Sequence, residues 1–185
     1  MKKLNLTTTL MAAFAASTLS LSPLAAQEMK AKPAGDASPV MVMDKATFVK
    51  VAASANEWEI RSSELARQKA QNPELKKAAE MIIADHRKAG DKMKATLEAK
   101  GPAPAMPPAL APKQQKMLDQ LQAAEGKDFD TLFLDMQTQA HMEAVGFFRT
   151  YAGSGEDQSL VGFAKETLPS LETHLAHVKM LVAMQ

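Results

Sequence analysis

The sequence predicts an all-α protein, a four-helix bundle of two antiparallel hairpins joined by a proline-rich crossover that carries a short extra helix. Three observations predict it. Beyond residue 43, apolar residues recur at steps of three and four, the helical period, and no strand-like alternation of useful length occurs. Two helix breaks are tight, "QNPE" at 71–74 and "GSGEDQ" at 153–158, so the helices flanking each must lie antiparallel. A third break, "GPAPAMPPALAP" at 101–112, holds five prolines and can be neither helix nor sheet. A long central crossover is the connection style of ferritin-like bundles.

The first helix is expected over 45–71, with Asp44 as N-cap and Phe48, Val51, Ala52, Ala55, Ser62, Leu65 and Ala66 along one face. Asn72 then caps a second helix over 73–100, and Pro73 suits its first position because the missing N–H has no helical partner there. A short helix over 113–124 follows the crossover. The next is expected to be capped by Asp128 and to reach 151. The last is expected over 156–183, with Pro169 kinking it and freeing a carbonyl one turn earlier.

The ends define the expected domains and compartment. Residues 1–26 combine Lys2 and Lys3, an apolar run diluted by Thr and Ser, and small residues before Ala26, the pattern of a secretory signal peptide rather than a membrane span. Residues 27–43 read as a flexible leader rich in Ala, Lys, Pro and Ser, and 44–185 as the bundle. The expected location is periplasmic or secreted. Losing Lys2 and Lys3 leaves 20 basic residues against 21 acidic ones, so the charge moves from +1 to −1. Such a balance gives no electrostatic case for nucleic acid or an anionic membrane surface. Cysteine is absent, which excludes disulfides, thiolate metal sites and cysteine nucleophiles.

Four polar residues bear on function. Glu59 falls on the apolar stripe of the first helix, His86 on that of the second and His174 on that of the last, while His141 lies beside the stripe of the fourth with its orientation open. Glu59 is 13 residues before Asn72 and His86 is 14 after it. With equal rise per residue, the two side chains come to one height and touch. Two readings stay open. Glu59, His86, His141 and His174 are a transition-metal site for Fe, Mn, Zn or Cu, since imidazole and carboxylate from facing helices suit those ions. Alternatively Glu59 and His86 form a buried hydrogen-bonded pair that needs no metal.

The chain lacks the Glu-x-x-His pairs of di-iron bundles. His174 and His177 stand at a spacing that clips one ion, and 11 of the 13 methionines lie beyond residue 26, scattered as core filler is. There is no nucleophile with a base, no phosphate loop and no H-E-x-x-H. Ser62 and Ser63 lie in a helix without oxyanion donors, so ordinary enzymatic turnover is not expected.

"FVKVAASANEWEIRSSELARQKAQNPELKKAAEMIIADHRKA" at 48–89 and "AHMEAVGFFRTYAGSGEDQSLVGFAKETLPSLETHL" at 140–175 resemble the DUF4142 family of exported bacterial proteins. The resemblance covers about residues 44–182. It implies a ferritin-like fold and export, and it puts Glu59, Asp85, His86, His141 and His174 on the family's recurring polar positions, while His177 matches none of its motifs. The resulting expectation is a periplasmic bundle linked to envelope stress tolerance, with an internal Glu59, His86 and His174 cluster. Two alternatives stand beside it: a metal-binding or redox protein using that cluster and His141, and an interaction module for an envelope partner or a second copy of the chain.

Overall fold

The computed structural model describes residues 43–99, 101 and 110–185. The signal peptide, nearly all of the leader and most of the crossover expected from the sequence lie outside the described residues. Five helices occur among them: α1 (Lys45–Lys69), α2 (Pro73–Glu98), α3 (Pro112–Ala123), α4 (Gly126–Ser154) and α5 (Gln158–Ala183). Apart from one isolated bridge between Met43 and Gly155, no β pairing occurs among the described residues. The all-α bundle of two hairpins, α1–α2 and α4–α5, is therefore as the sequence predicts, with α3 packed against α1 and α4.

The helix starts follow from side-chain chemistry. Asp44 accepts from the Thr47 N–H at 2.8 Å and Asn72 from the Glu74 N–H at 2.9 Å, satisfying amides that have no helical partner. Two expected starts differ. Asp128 is no cap: α4 begins at Gly126, with Glu125 in the cap position and no side chain bonded to its amides. Gly126 has φ of 58°, a left-handed conformation that glycine adopts at low cost, and this turns the chain into the helix two residues early. Asp128 is left in the first turn, where its charge favours the helix dipole. Likewise α5 starts at Gln158 rather than 156, because Asp157 takes the cap and accepts from the N–H groups of Ser159 and Leu160. α5 runs unbroken through Pro169.

Each hairpin turn is fastened to the other hairpin. The buried Asp130 carboxylate of α4 accepts from the Gln71 and Asn72 N–H groups, both at 3.0 Å, and so holds the α1–α2 turn. At the opposite end Glu156, between α4 and α5, accepts from the Lys45 N–H at 2.7 Å. These bonds fix the hairpins' relative height, which decides the residues that meet inside.

The core is two apolar clusters with a polar layer between them. Phe48, Tyr151, Phe148, Phe163 and Met93 form one cluster, in which Phe48 stacks on Tyr151 with ring centroids 3.8 Å apart. Trp58, Leu75, Phe129, Phe133 and Leu181 belong to the other. Along α2, α4 and α5 the chain passes from one cluster to the other through His86, His141 and His174 respectively, and α1 does so near Glu59. All four residues are buried.

Candidate metal centre

Three imidazoles from three helices converge in that layer. His86, His141 and His174 each offer one ring nitrogen, and these lie within 4.8 Å of one another. The ring centroids are 5.3 to 5.8 Å apart. His141 is the most enclosed, with none of its surface exposed.

Their hydrogen bonds determine where the ring protons sit. His141 places Nδ1 3.0 Å from the main-chain carbonyl of Gln137, one turn earlier on α4. A carbonyl only accepts, so Nδ1 carries the hydrogen and Nε2 presents a lone pair. His86 places Nδ1 3.1 Å from Asn56 Oδ1, again an acceptor, so its Nε2 is the bare nitrogen, and this atom is buried without a partner. His174 places Nε2 2.9 Å from the Asp85 carboxylate, which also accepts from the Ser170 hydroxyl at 3.4 Å. The His174 lone pair is then on Nδ1, and it faces His141 Nε2 at 3.3 Å.

Three imidazoles thus carry their hydrogens outward, to a carbonyl, an amide oxygen and a carboxylate, and their lone pairs inward. Protonation would relieve the opposition of the lone pairs, but burial works against it. Removal from water holds His86 well below its ordinary 6.5, with the other two histidines adding to the effect. Burial brings His141 down to about 4, although its bond to the Gln137 carbonyl pulls the other way. His174 is lowered by burial, and its hydrogen bond to Asp85 opposes this. At neutral pH all three are uncharged, the form in which imidazole binds a metal.

The donor set fits one metal ion. Two nitrogens bound at about 2.0–2.1 Å in tetrahedral geometry are about 3.3–3.4 Å apart, and His141 Nε2 and His174 Nδ1 are 3.3 Å apart. Nitrogens sharing an ion cannot be separated by more than about 4.2 Å. A pair at the outer 4.8 Å limit would therefore close by about half an ångström. Outward N–H bonds to carboxylate and carbonyl partners are the usual supports of metal-bound histidine. A cleft of about 180 Å³ between α2 and α5, lined by Asp85, His86, Thr167 and His174, leads from solvent to this cluster.

Glu59 stands at the side of the triad. Its Oε1 is 3.6 Å from His141 Nδ1, the nitrogen that already carries a hydrogen, and its Oε2 is buried without a partner. Burial pushes its carboxyl up to about 8, with the Gln137 side chain opposing the rise, so Glu59 is an uncharged acid at neutral pH. The expected pairing with His86 is replaced by Asn56. The reason lies in the turn: residues 70–72 are not helical, so equal rise counted from Asn72 misjudges the register. Counted from the helix ends, Asn56 lies 13 residues before Lys69 and His86 lies 13 after Pro73.

The structure thus brings His86, His141 and His174 together and sets Glu59 behind His141. It leaves His177 partly exposed and outside the cluster. Asn56 and the Gln137 carbonyl were not visible as site groups from the sequence. Asp85 entered the sequence reading only through the family resemblance, because adjacent residues do not share a helix face and its place beside His86 turned it away from the stripe. It bonds to α5, the helix that flanks α2 on that side.

Fold and site together define a helical bundle with a buried three-imidazole cluster. The chain belongs to the family described as "Domain of unknown function (DUF4142)", which matches residues 29–181. Two solved structures are similar to it, both with 26% sequence identity. "CopM in the Cu(II)-bound form" has a TM-score of 0.63 over 76% of this chain and 97% of that one. "CopM in the Cu(I)-bound form" has a TM-score of 0.59 over 73% of this chain and 92% of that one. No curated protein matches the sequence. No helix among the described residues is long and apolar enough to cross a membrane.

Proposed function

We propose that this protein binds copper in the bacterial envelope through His86, His141 and His174, and that the bundle serves to sequester or buffer the ion rather than to turn over a substrate. The observation that carries this reading is the inward convergence of three neutral imidazole lone pairs, each ring oriented by an acceptor behind it. Imidazole suits Zn, Cu, Fe and Ni alike. Copper is favoured by the similarity to CopM, whose structures contain Cu(II) and Cu(I). Export follows from the signal-like segment at 1–26, and tolerance of envelope stress is the role such binding would serve.

Within this reading Asn56, the Gln137 carbonyl and Asp85 hold the ring tautomers, and Glu59 contributes an uncharged carboxyl beside His141. Three imidazoles leave a further coordination position, and the α2–α5 cleft is the side from which an ion or an exchangeable ligand reaches it. Bound copper would supply a Lewis-acidic, redox-active centre.

The test is elemental analysis of protein purified from copper-replete cells without chelator, together with competitive titration of Cu(II) and Zn(II). About one equivalent of copper, lost in His86→Ala, is expected. Less than about a tenth of an equivalent, or undiminished affinity in His86→Ala, would overturn the assignment.

A further inference from the structure

The interior of α2 carries a glycine, Gly90, one turn beyond His86. Its backbone is ordinary helix, since the positive-φ glycines among the described residues are Gly101 and Gly126. Glycine inside a helix lowers stability relative to alanine, by about fivefold in the folding equilibrium, so its place here needs a cause other than conformation. Space supplies one. Gly90, Gly146, Gly153 and Gly162 all lie within helices at ordinary φ. A Cβ added at any of the last three would meet nothing within 4 Å beyond its own stretch of helix backbone. A Cβ at Gly90 would stand 3.1 Å from Asn56 Nδ2, closer than the ordinary contact range of 3.4–4 Å.

The Asn56 amide is also the group that orients His86. It reaches across from α1 and places Oδ1 3.1 Å from His86 Nδ1. His86 and Gly90 are four residues apart and so share one face of α2. The amide therefore sits with its oxygen against the imidazole and its nitrogen against the bare backbone of Gly90. It is a rigid plane, so its nitrogen cannot be moved without moving its oxygen. A cavity of about 40 Å³ lies beside it, with Asn56, Glu59, His86 and Gly90 on its lining. A displaced amide thus has space to enter, and the helices need not part to admit a methyl group at position 90. What a displacement puts at risk is the bond to His86, which at 3.1 Å is near the long end of the N–H···O range.

We propose that Gly90 is a positioning residue for His86: by leaving out a side chain it seats the Asn56 amide, which keeps the ring hydrogen on Nδ1 and leaves Nε2 bare. Without that acceptor the ring is free to carry its hydrogen on Nε2, the nitrogen a metal would need. The consequence for copper rests on the function proposed above, whereas the tautomer itself does not.

The test reads the tautomer directly. Ring nitrogen NMR shifts of the full chain, freed of metal and at neutral pH, separate protonated from bare nitrogens. Wild type should show His86 with its hydrogen almost wholly on Nδ1. Gly90→Ala should melt at the same temperature or higher, yet carry about a third or more of the other tautomer. Asn56→Ala should mix the tautomers too, and adding Gly90→Ala to it should change nothing further, because the group through which Gly90 acts is gone. Copper affinity should follow, falling about 10–100-fold in Asn56→Ala, by about threefold or more in Gly90→Ala, and no further in the double variant. An unchanged His86 tautomer in Gly90→Ala overturns the proposal, and so does an effect of Gly90→Ala that persists in the Asn56→Ala background. Loss of the fold in Gly90→Ala, read by circular dichroism, overturns it as well, since the helices and not the amide would then have yielded to the methyl group. A tautomer shift in a protein that takes up no copper would uphold the role of Gly90 and refute the metal reading alone.

Discussion

Replacing Glu59 by Gln should stabilise the metal-free protein, and by an amount that depends on pH in a defined way. The Glu59 carboxyl has an ordinary pKa of 4.5 in the unfolded chain and is pushed up to about 8 by burial in the native state. Between those values the folded state holds a proton that the unfolded state has released, so stability falls as pH rises from 4.5 and the loss is complete near 8. At about 1.4 kcal/mol for each pH unit, the cost is about 3 kcal/mol at pH 7 and about 5 kcal/mol above pH 8. Glutamine has the same shape and no ionisation, so the variant escapes this cost. Denaturant unfolding of chelator-treated wild type and Glu59→Gln at pH 5, 7 and 9 would measure it. The variant's advantage should grow from below about 1 kcal/mol at pH 5 to several kcal/mol at pH 9. A difference that stays constant across that range would refute the claim that the carboxyl is buried uncharged.

Three further predictions concern the same layer and the turn above it. In the Glu59→Gln background, lowering the pH from 6.5 toward 4 should destabilise the metal-free protein by about 3 kcal/mol from His141 alone, because the unfolded histidine takes up a proton near 6.5 while the folded one resists until about 4. His86 acts in the same direction, and a melting temperature unchanged between pH 7 and 5 would contradict both. Asp85→Ala should weaken copper binding about 10–100-fold with little loss of stability, since the 46%-exposed carboxylate orients His174 without belonging to the core. Competitive titration checks the affinity and thermal unfolding the stability. Asp130→Ala should cost about 1–3 kcal/mol in denaturant unfolding, because two main-chain N–H groups of the α1–α2 turn lose their buried acceptor.

The fold was legible because its signals are local. Asp44, Asn72 and Pro73 mark helix starts by chemistry that acts within one turn, and the starts of α1 and α2 fall where those residues place them. The start of α4 was misplaced because a left-handed glycine, rather than a side-chain acceptor, turns the chain there, and a lone glycine in sequence does not state its φ. The inward positions of Glu59, His86 and His174 were legible from periodicity, whereas the orientation of His141 was not, since a residue beside a stripe is turned in or out by helices that sequence alone does not position. The His86–Asn56 contact depended on where α1 stops, and an error of two residues at a helix end is more than half a turn of rotation. The outward hydrogen bonds to Asp85 and the Gln137 carbonyl required the packing of α5 and the backbone of α4.

An ion shared by His86, His141 and His174 would also tie together three places far apart along the chain, closing loops of 55 and 33 residues. By the chain-entropy argument used for covalent cross-links, each such closure is worth about 3–4 kcal/mol against the unfolded ensemble. This chain has no cysteine with which to make a permanent tie. The metal would then be a removable staple, and the loaded protein would outlast the empty one wherever proteases sample open states. Abundance in the envelope would rise and fall with the supply of the ion itself.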